Sequence, residues 1–286
     1  MHQTWRLTIQ IYLKLKLINR GEMHYLTMIS DRPDMIFRVE FLIRSIKRFC
    51  PQPAVFSVVV NGERQSPLGT SLSLSKGRIN NKYISDNAEV IHCPYHWSIP
   101  APSRWFVEPK MDNCVFIDAD IMACQDLSPL YNLDKEVFHG VTAFRQTMTD
   151  DEWSYIGMNH QELVHYFNFG LLVVPSRLMR DIGNRMLRNV PMIMNVFRKH
   201  QYFAGQIALA YTLKEIGVKR NALDQKFNWY DMLPPPPDMQ DILLLHYIIN
   251  KSSVESWAKM RNISPGNEYA KLIVQMGKRL NPKIYL

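Results

Sequence analysis

No apolar run in the 286-residue chain comes near the roughly eighteen residues that a membrane-spanning helix requires, so a soluble protein is expected. The four cysteines, Cys50, Cys93, Cys114 and Cys124, include no C-x-x-C pair. Zinc binding and dithiol chemistry therefore have little support, and the thiols read as reduced in a cytosolic setting. No Gly-rich, lysine-containing stretch of the Walker type is present to cradle phosphates. A secretory leader is not expected either. In WRLTIQIYLKLKL, residues 5–17, lysines interrupt the apolar residues, and no small-residue cleavage site follows. Internal repeats are missing too.

What is present is ordinary in bulk and uneven in detail. A hydrophobic share of 47% and a charged share of 21% suit a globular protein with a sizeable core. The formal charge of +8 sits at the ends, with a net +3 in residues 1–22, a net +5 in residues 250–286 and none between. A nucleic-acid binder more often carries a basic face through its fold. Basic ends suit an anionic membrane surface or an acidic acceptor, and equally suit solvated tails. Residues 5–17 alternate with a period of two, which predicts a half-buried strand. With Met23 as a second plausible start, residues 1–22 read as an extension or added edge strand.

From Met23 onward, strand and helix signals alternate. Strands are expected at 24–30, 54–61, 88–93, 114–121, 136–144, 167–175 and 242–249. Helices are expected at 35–49, from a Ser176 N-cap to about Val190, and at 203–216 before Gly217. Residues 62–88 read as a long loop with room for a short helix, and Pro234–Pro237 as a rigid loop. This order argues for one α/β domain, residues 23–286, with a mixed, mostly parallel central sheet.

CVFIDADIMA, residues 114–123, sets two aspartates into a buried strand. As i and i+2 of that strand, Asp118 and Asp120 would share a face at its carboxyl end, where open α/β sheets bind ligands. Two carboxylates in an apolar setting repel one another and lose hydration, and a hard divalent cation relieves both penalties. The bland alternative is a pair of surface aspartates capping the next turn.

VFIDADIMACQDLSPLY resembles the D-x-D segment of GT-A fold glycosyltransferases, in particular family 8, the glycogenin and lipopolysaccharide galactosyltransferase group. Other segments resemble the family's landmarks in the expected order: SRWF with Arg104, YFNFGLLVVP, GQIALAYTLKEIG, LDQKFNW, and LLLHYI followed by KSSVESW. The resemblance spans roughly residues 24–257. It implies a metal-dependent transferase using a nucleoside diphosphate sugar, a UDP-sugar first among them, with retention at the anomeric carbon. It implies that Asp118, Asp120 and His246 hold Mn2+ or Mg2+, imidazole favouring Mn2+. Arg104 and Lys251 would add charge near the phosphates, Ser30 and Asp31 would meet the nucleoside, and Ala119 and Gly170 would contact the donor. Asn168 and Gln206 would face the donor sugar and the reacting centre, and the acceptor would be a glycan or a lipid-linked group. Phe169, Gly205 and Ile249 depart from the family pattern, and Lys251 lacks the adjacent Pro-Trp, with Trp257 further on.

Two other classes compete. D-x-D also serves haloacid-dehalogenase-type phosphatases, but there it lies near the N-terminus with Thr at the fifth position, where this chain has Met122. A non-enzymatic basic protein would explain the ends and leave the aspartate pair unexplained. Asp150, Asp151 and Glu152 read as an acidic loop, acceptor-facing or simply solvated. The sequons at Asn250 and Asn262 read as accidental.

Overall fold

The computed structural model describes residues 23–30, 33–50, 54–61, 75–93, 102–143, 148–230 and 241–246. The expectations for residues 1–22, 62–74, 234–237 and 247–286 lie outside them.

β-Branched and aromatic runs form the strands β1 (Met23–Ser30), β2 (Ala54–Asn61), β3 (Ser75–Lys76), β4 (Glu89–Cys93) and β5 (Asn113–Ile117). They continue with β6 (Ile121–Ala123), β7 (Phe138–Thr142), β8 (Phe167–Pro175), β9 (Arg220–Leu223) and β10 (Leu244–His246). Eight of them make one sheet in the order β3-β4-β2-β1-β5-β8-β7-β9. The β1–β2, β1–β5, β2–β4 and β7–β9 pairs are parallel, and the remaining three are antiparallel. The mixed, mostly parallel sheet of one α/β domain is thus the observed architecture. A second, two-stranded sheet pairs β10 with β6.

Strict alternation along β5 divides the core. Cys114 and Phe116 enter one cluster with Leu172 and Val174, under α5 (Met179–Val196) and α6 (Ala204–Glu215). Val115 and Ile117 enter the other with Leu171 and Val173, under α1 (Pro33–Phe49). A strand buried on both faces reads as a continuous apolar run, which is why CVFI is unbroken. Shorter helices are α2 (Lys82–Asn87), α3 (Ser128–Tyr131) and α4 (Asp150–Tyr155). No described helix is long and apolar enough to cross a membrane.

Three expectations need correction. Ser176 does not cap a helix: its Oγ donates to the Met111 carbonyl, and a short 3-10 turn precedes α5. That helix also runs past Val190 to Val196, carrying Pro191 within it. Asp150, Asp151 and Glu152 are not a loop but the first turn of α4. Thr149 and Glu152 form a reciprocal capping box there, and acidic side chains favour the positive end of a helix. Glu152 is held by Lys199 and His200, which keep its carboxyl down at about 2 together with the Thr149 hydrogen bonds.

Candidate active site

The strand carrying the two aspartates stops earlier than its hydropathy suggests. β5 ends at Ile117, and Ile121 N–H donates to Asp118 O at 3.2 Å, closing a tight turn over residues 118–121. Asp118 and Asp120 converge because of this turn, not because of strand alternation. Ala119, within this turn, is buried. The turn is anchored on one side by Asp118 N–H donating to Gly170 O at 3.1 Å. On the other side the antiparallel pairing of β6 with β10 sets His246 opposite Ile121, next to Asp120.

One ligand atom from each of Asp118, Asp120 and His246 lies within 4.8 Å of the others. His246 Nε2 stands 3.2 Å from Asp120 Oδ1. The imidazole is 7% exposed, whereas the Asp120 and Asp118 side chains are 22% and 36% exposed, so the cluster opens toward solvent through its carboxylates. Burial raises the Asp118 carboxyl to about 6, against the pull of Arg104 and with the push of Asp120. Burial also pushes on Asp120, but His246 and, beyond it, Arg38 hold that carboxyl below its usual range. The His246 imidazole, which burial alone would depress, is raised by Asp120 and Asp118. Two carboxylates and an imidazole form a donor set that suits Mn2+, and Mg2+ less well.

Behind the carboxylates lies Arg104, on the 3-10 turn Pro102–Phe106. It is 1% exposed, and its Nη1 reaches Asp118 Oδ1 at 3.6 Å. Its guanidinium carbon lies over the Phe116 ring at 5.0 Å and over the Phe169 ring at 4.6 Å, two cation–π contacts. Burial lowers its pKa, and Asp118 opposes that change. The arginine therefore meets the opening of the site through Asp118 and not directly.

The third wall is a bulge in β8. Gly140 pairs with Leu172 and Thr142 with Phe167, so residues 168–171 stand opposite Val141 alone. Bulges of this kind re-aim side chains beside functional sites. Asn168 Oδ1 turns back to accept from Gly170 N–H at 2.7 Å and from Asn228 Nδ2 at 2.9 Å. A Cβ on Gly170 would fall 2.6 Å from His246 Nδ1, 2.7 Å from Asn228 Oδ1 and 2.8 Å from Asn168 Oδ1, so only glycine fits.

Of the residues singled out from the sequence, the structure gathers Asp118, Ala119, Asp120, His246, Arg104, Asn168 and Gly170 into one place. Gln206 lies in the first turn of α6, half-buried, and among the described residues no hydrogen bond joins it to the cluster. Ser30 ends β1 opposite Asn61. Asp31 and Lys251 lie outside the described residues. Asn228, Phe116 and Arg38 had been given no role. Asn228 sat in view within KFNW, and Phe169 had been noted only as a departure from pattern.

A sheet of this topology, with a carboxylate turn at the end of a central strand, is that of a GT-A glycosyltransferase. The model of glycosyl transferase family 8 matches residues 102–250, just over half of the chain, and the chain belongs to that family. No curated protein matches. Among solved structures, LgtC as an active-site mutant is similar at 13% identity and a TM-score of 0.58 over 91% of this chain and 96% of LgtC. The galactosyltransferase LgtC with donor and acceptor sugar analogues follows at 14% identity and 0.56, with the same coverage. The bifunctional glycosyltransferase WbbM aligns at 14% and 0.54 over 90% of this chain, which spans only 52% of WbbM. At such identities these structures speak for the fold. The comparisons lend no support to the phosphatase or the non-enzymatic reading.

Proposed function

We propose that this glycosyltransferase moves a sugar from a nucleoside diphosphate donor, a UDP-sugar first among them, to a glycan or lipid-linked acceptor, using Mn2+ or Mg2+ held by Asp118, Asp120 and His246. The observation that carries this reading is the convergence of those three side chains at the carboxyl end of a central strand, open to solvent on the carboxylate side. A divalent cation bound there would act as a Lewis acid on the leaving diphosphate. That LgtC was solved with donor and acceptor sugar analogues supports a two-substrate site of the same kind.

The chain's own residues divide the remaining work. Arg104 is a positioning residue: held against the Phe116 and Phe169 rings, it orients Asp118 and favours the charged carboxylate. Asn168 and Gly170, on the β8 bulge, border the space beside the ligands where the donor sugar would lie, with Gln206 at the reacting centre. Ser30, Asp31 and Lys251 complete the nucleotide side. Residues 23–286 are assigned to the catalytic domain and 1–22 to an extension or added edge strand; cysteines without a C-x-x-C pair suit a cytoplasmic enzyme, and the basic ends suit contact with an anionic surface. Family membership is the ground for expecting retention at the anomeric carbon.

A hydrolysis screen of UDP-, GDP- and ADP-sugars with Mn2+ tests this. One donor, a UDP-sugar, should be consumed, and Asp120→Ala should abolish the turnover. Phosphomonoester hydrolysis with no nucleotide-sugar consumed would sink the proposal.

A further inference from the structure

Among the described residues, two buried polar atoms beside the candidate ligands lack a hydrogen-bond partner, His246 Nδ1 and Asn228 Oδ1. Native interiors rarely leave such atoms unpaired. Both crowd the same spot, within 2.6 and 2.7 Å of the point where a Cβ on Gly170 would stand. The backbone keeps them there. Trp229 N–H donates to Leu244 O at 3.0 Å and His246 N–H to Trp229 O at 2.8 Å, so the segment holding Asn228 is zipped to β10.

Their polarities are complementary, and the neighbours fix them. Gly170 N–H can only donate, so the Asn168 atom that it meets is the oxygen. Asn228 turns its Nδ2 to that same oxygen, which leaves its Oδ1 directed away and able only to accept. The donor at hand is a proton on His246 Nδ1. The other ring nitrogen, Nε2, faces Asp120 Oδ1.

We infer that Asn228 is a positioning residue for His246. The structure brings the two atoms together without joining them, and a small shift as a cation takes Nε2 would give Oδ1 the Nδ1–H hydrogen bond, leaving the Nε2 lone pair to a cation shared with Asp120. Asn168, gripped by Gly170 N–H, sets the orientation of Asn228. Metal-bound histidines commonly have their second nitrogen held in this way, which fixes tautomer and ring orientation together. This rests on the reading of Asp118, Asp120 and His246 as a metal centre.

The test is a titration of the purified full chain with Mn2+ alone, followed by electron paramagnetic resonance, and of 15N-histidine-labelled protein with Zn2+ as a diamagnetic probe. Asn228→Ala should weaken Mn2+ binding by roughly 10–100-fold. Asn228→Asp, which keeps an acceptor for Nδ1–H but cannot donate to Asn168, should restore most of the affinity. If the role were only structural, the aspartate would do as badly as the alanine. In the wild type with Zn2+, the His246 nitrogen shifts should show the proton on Nδ1 and the cation on Nε2. Wild-type affinity in Asn228→Ala, or a cation on Nδ1, overturns the inference and leaves the metal centre standing. A wild-type protein that binds neither ion removes both. Should Asn228→Ala fail to fold, the wild-type nitrogen shifts and Asn228→Asp still decide.

Discussion

Replacing Gly170 by alanine should disable the site while leaving the fold standing. Gly170 is not in the left-handed region, so the substitution carries no backbone strain and acts through volume alone. The new methyl would meet His246 Nδ1, Asn228 Oδ1 and Asn168 Oδ1 at 2.6–2.8 Å, where ordinary contact begins at 3.4 Å. None of the three is a loose surface side chain: Asn168 Oδ1 is tied to a backbone N–H, Asn228 is fully buried, and His246 is part of β10. Overpacking of this kind is worth about 1–3 kcal/mol. In a chain of this size that lowers Tm by several degrees, at roughly 2–4 °C per kcal/mol. The functional effect should be larger than the thermal one. The overlaps can be relieved only by displacing the imidazole or the amides by a substantial fraction of an ångström, and misplacement on that scale can lower activity roughly 100-fold. Calorimetric unfolding and Mn2+ titration of Gly170→Ala read the two effects separately. A variant with unchanged Tm and wild-type Mn2+ affinity would refute the packing argument.

Acid should destabilise the protein through His24, far from the site. His24 is fully buried, and its Nδ1 accepts the Lys110 N–H at 3.2 Å while Nε2 pairs with Ser57 Oγ at 2.8 Å, a network that needs the neutral ring. Burial, with Lys110 adding to it, lowers its pKa to about 4. The unfolded chain therefore binds the extra proton first, and stability falls as pH drops below about 6.5, levelling off near the folded value. From pH 7 to pH 5 this amounts to about 2 kcal/mol. Urea unfolding at the two pH values should show it, and His24→Gln should flatten the difference; equal pH slopes would count against this assignment. Separately, a double-mutant cycle of Phe169→Leu with Arg104→Met should give a coupling of about 1–2 kcal/mol. A coupling near zero would mean that the ring merely fills space.

The fold was largely legible because it follows from periodicity. FNFGLLVVP and AVFSVVVN became strands with the bounds that their apolar runs suggest, and Gly217, at φ 66°, ends the helix where a left-handed residue must. The aspartate pair was legible as a candidate site, but by a mistaken geometry. Hydropathy continued the strand through Ile121, whereas the hydrogen bond from Ile121 to Asp118 folds those residues into a turn. The β8 bulge was invisible because it depends on register against β7, a long-range property. Asn228 carries no local signal of its own, since its meaning comes from Asn168 and His246, 60 and 18 positions away. Phe169 looked like a lapse from pattern until Arg104 was found packed on its face.

The central claim is that Asp118, Asp120 and His246 couple a divalent cation to a nucleoside diphosphate. Isothermal titration with UDP, with Mn2+ and then with chelator, tests it most directly. UDP should bind when Mn2+ is present, binding should vanish with chelator, and Asp120→Ala should show none under either condition. Equal UDP affinity with and without the ion, or full binding by Asp120→Ala, would contradict it.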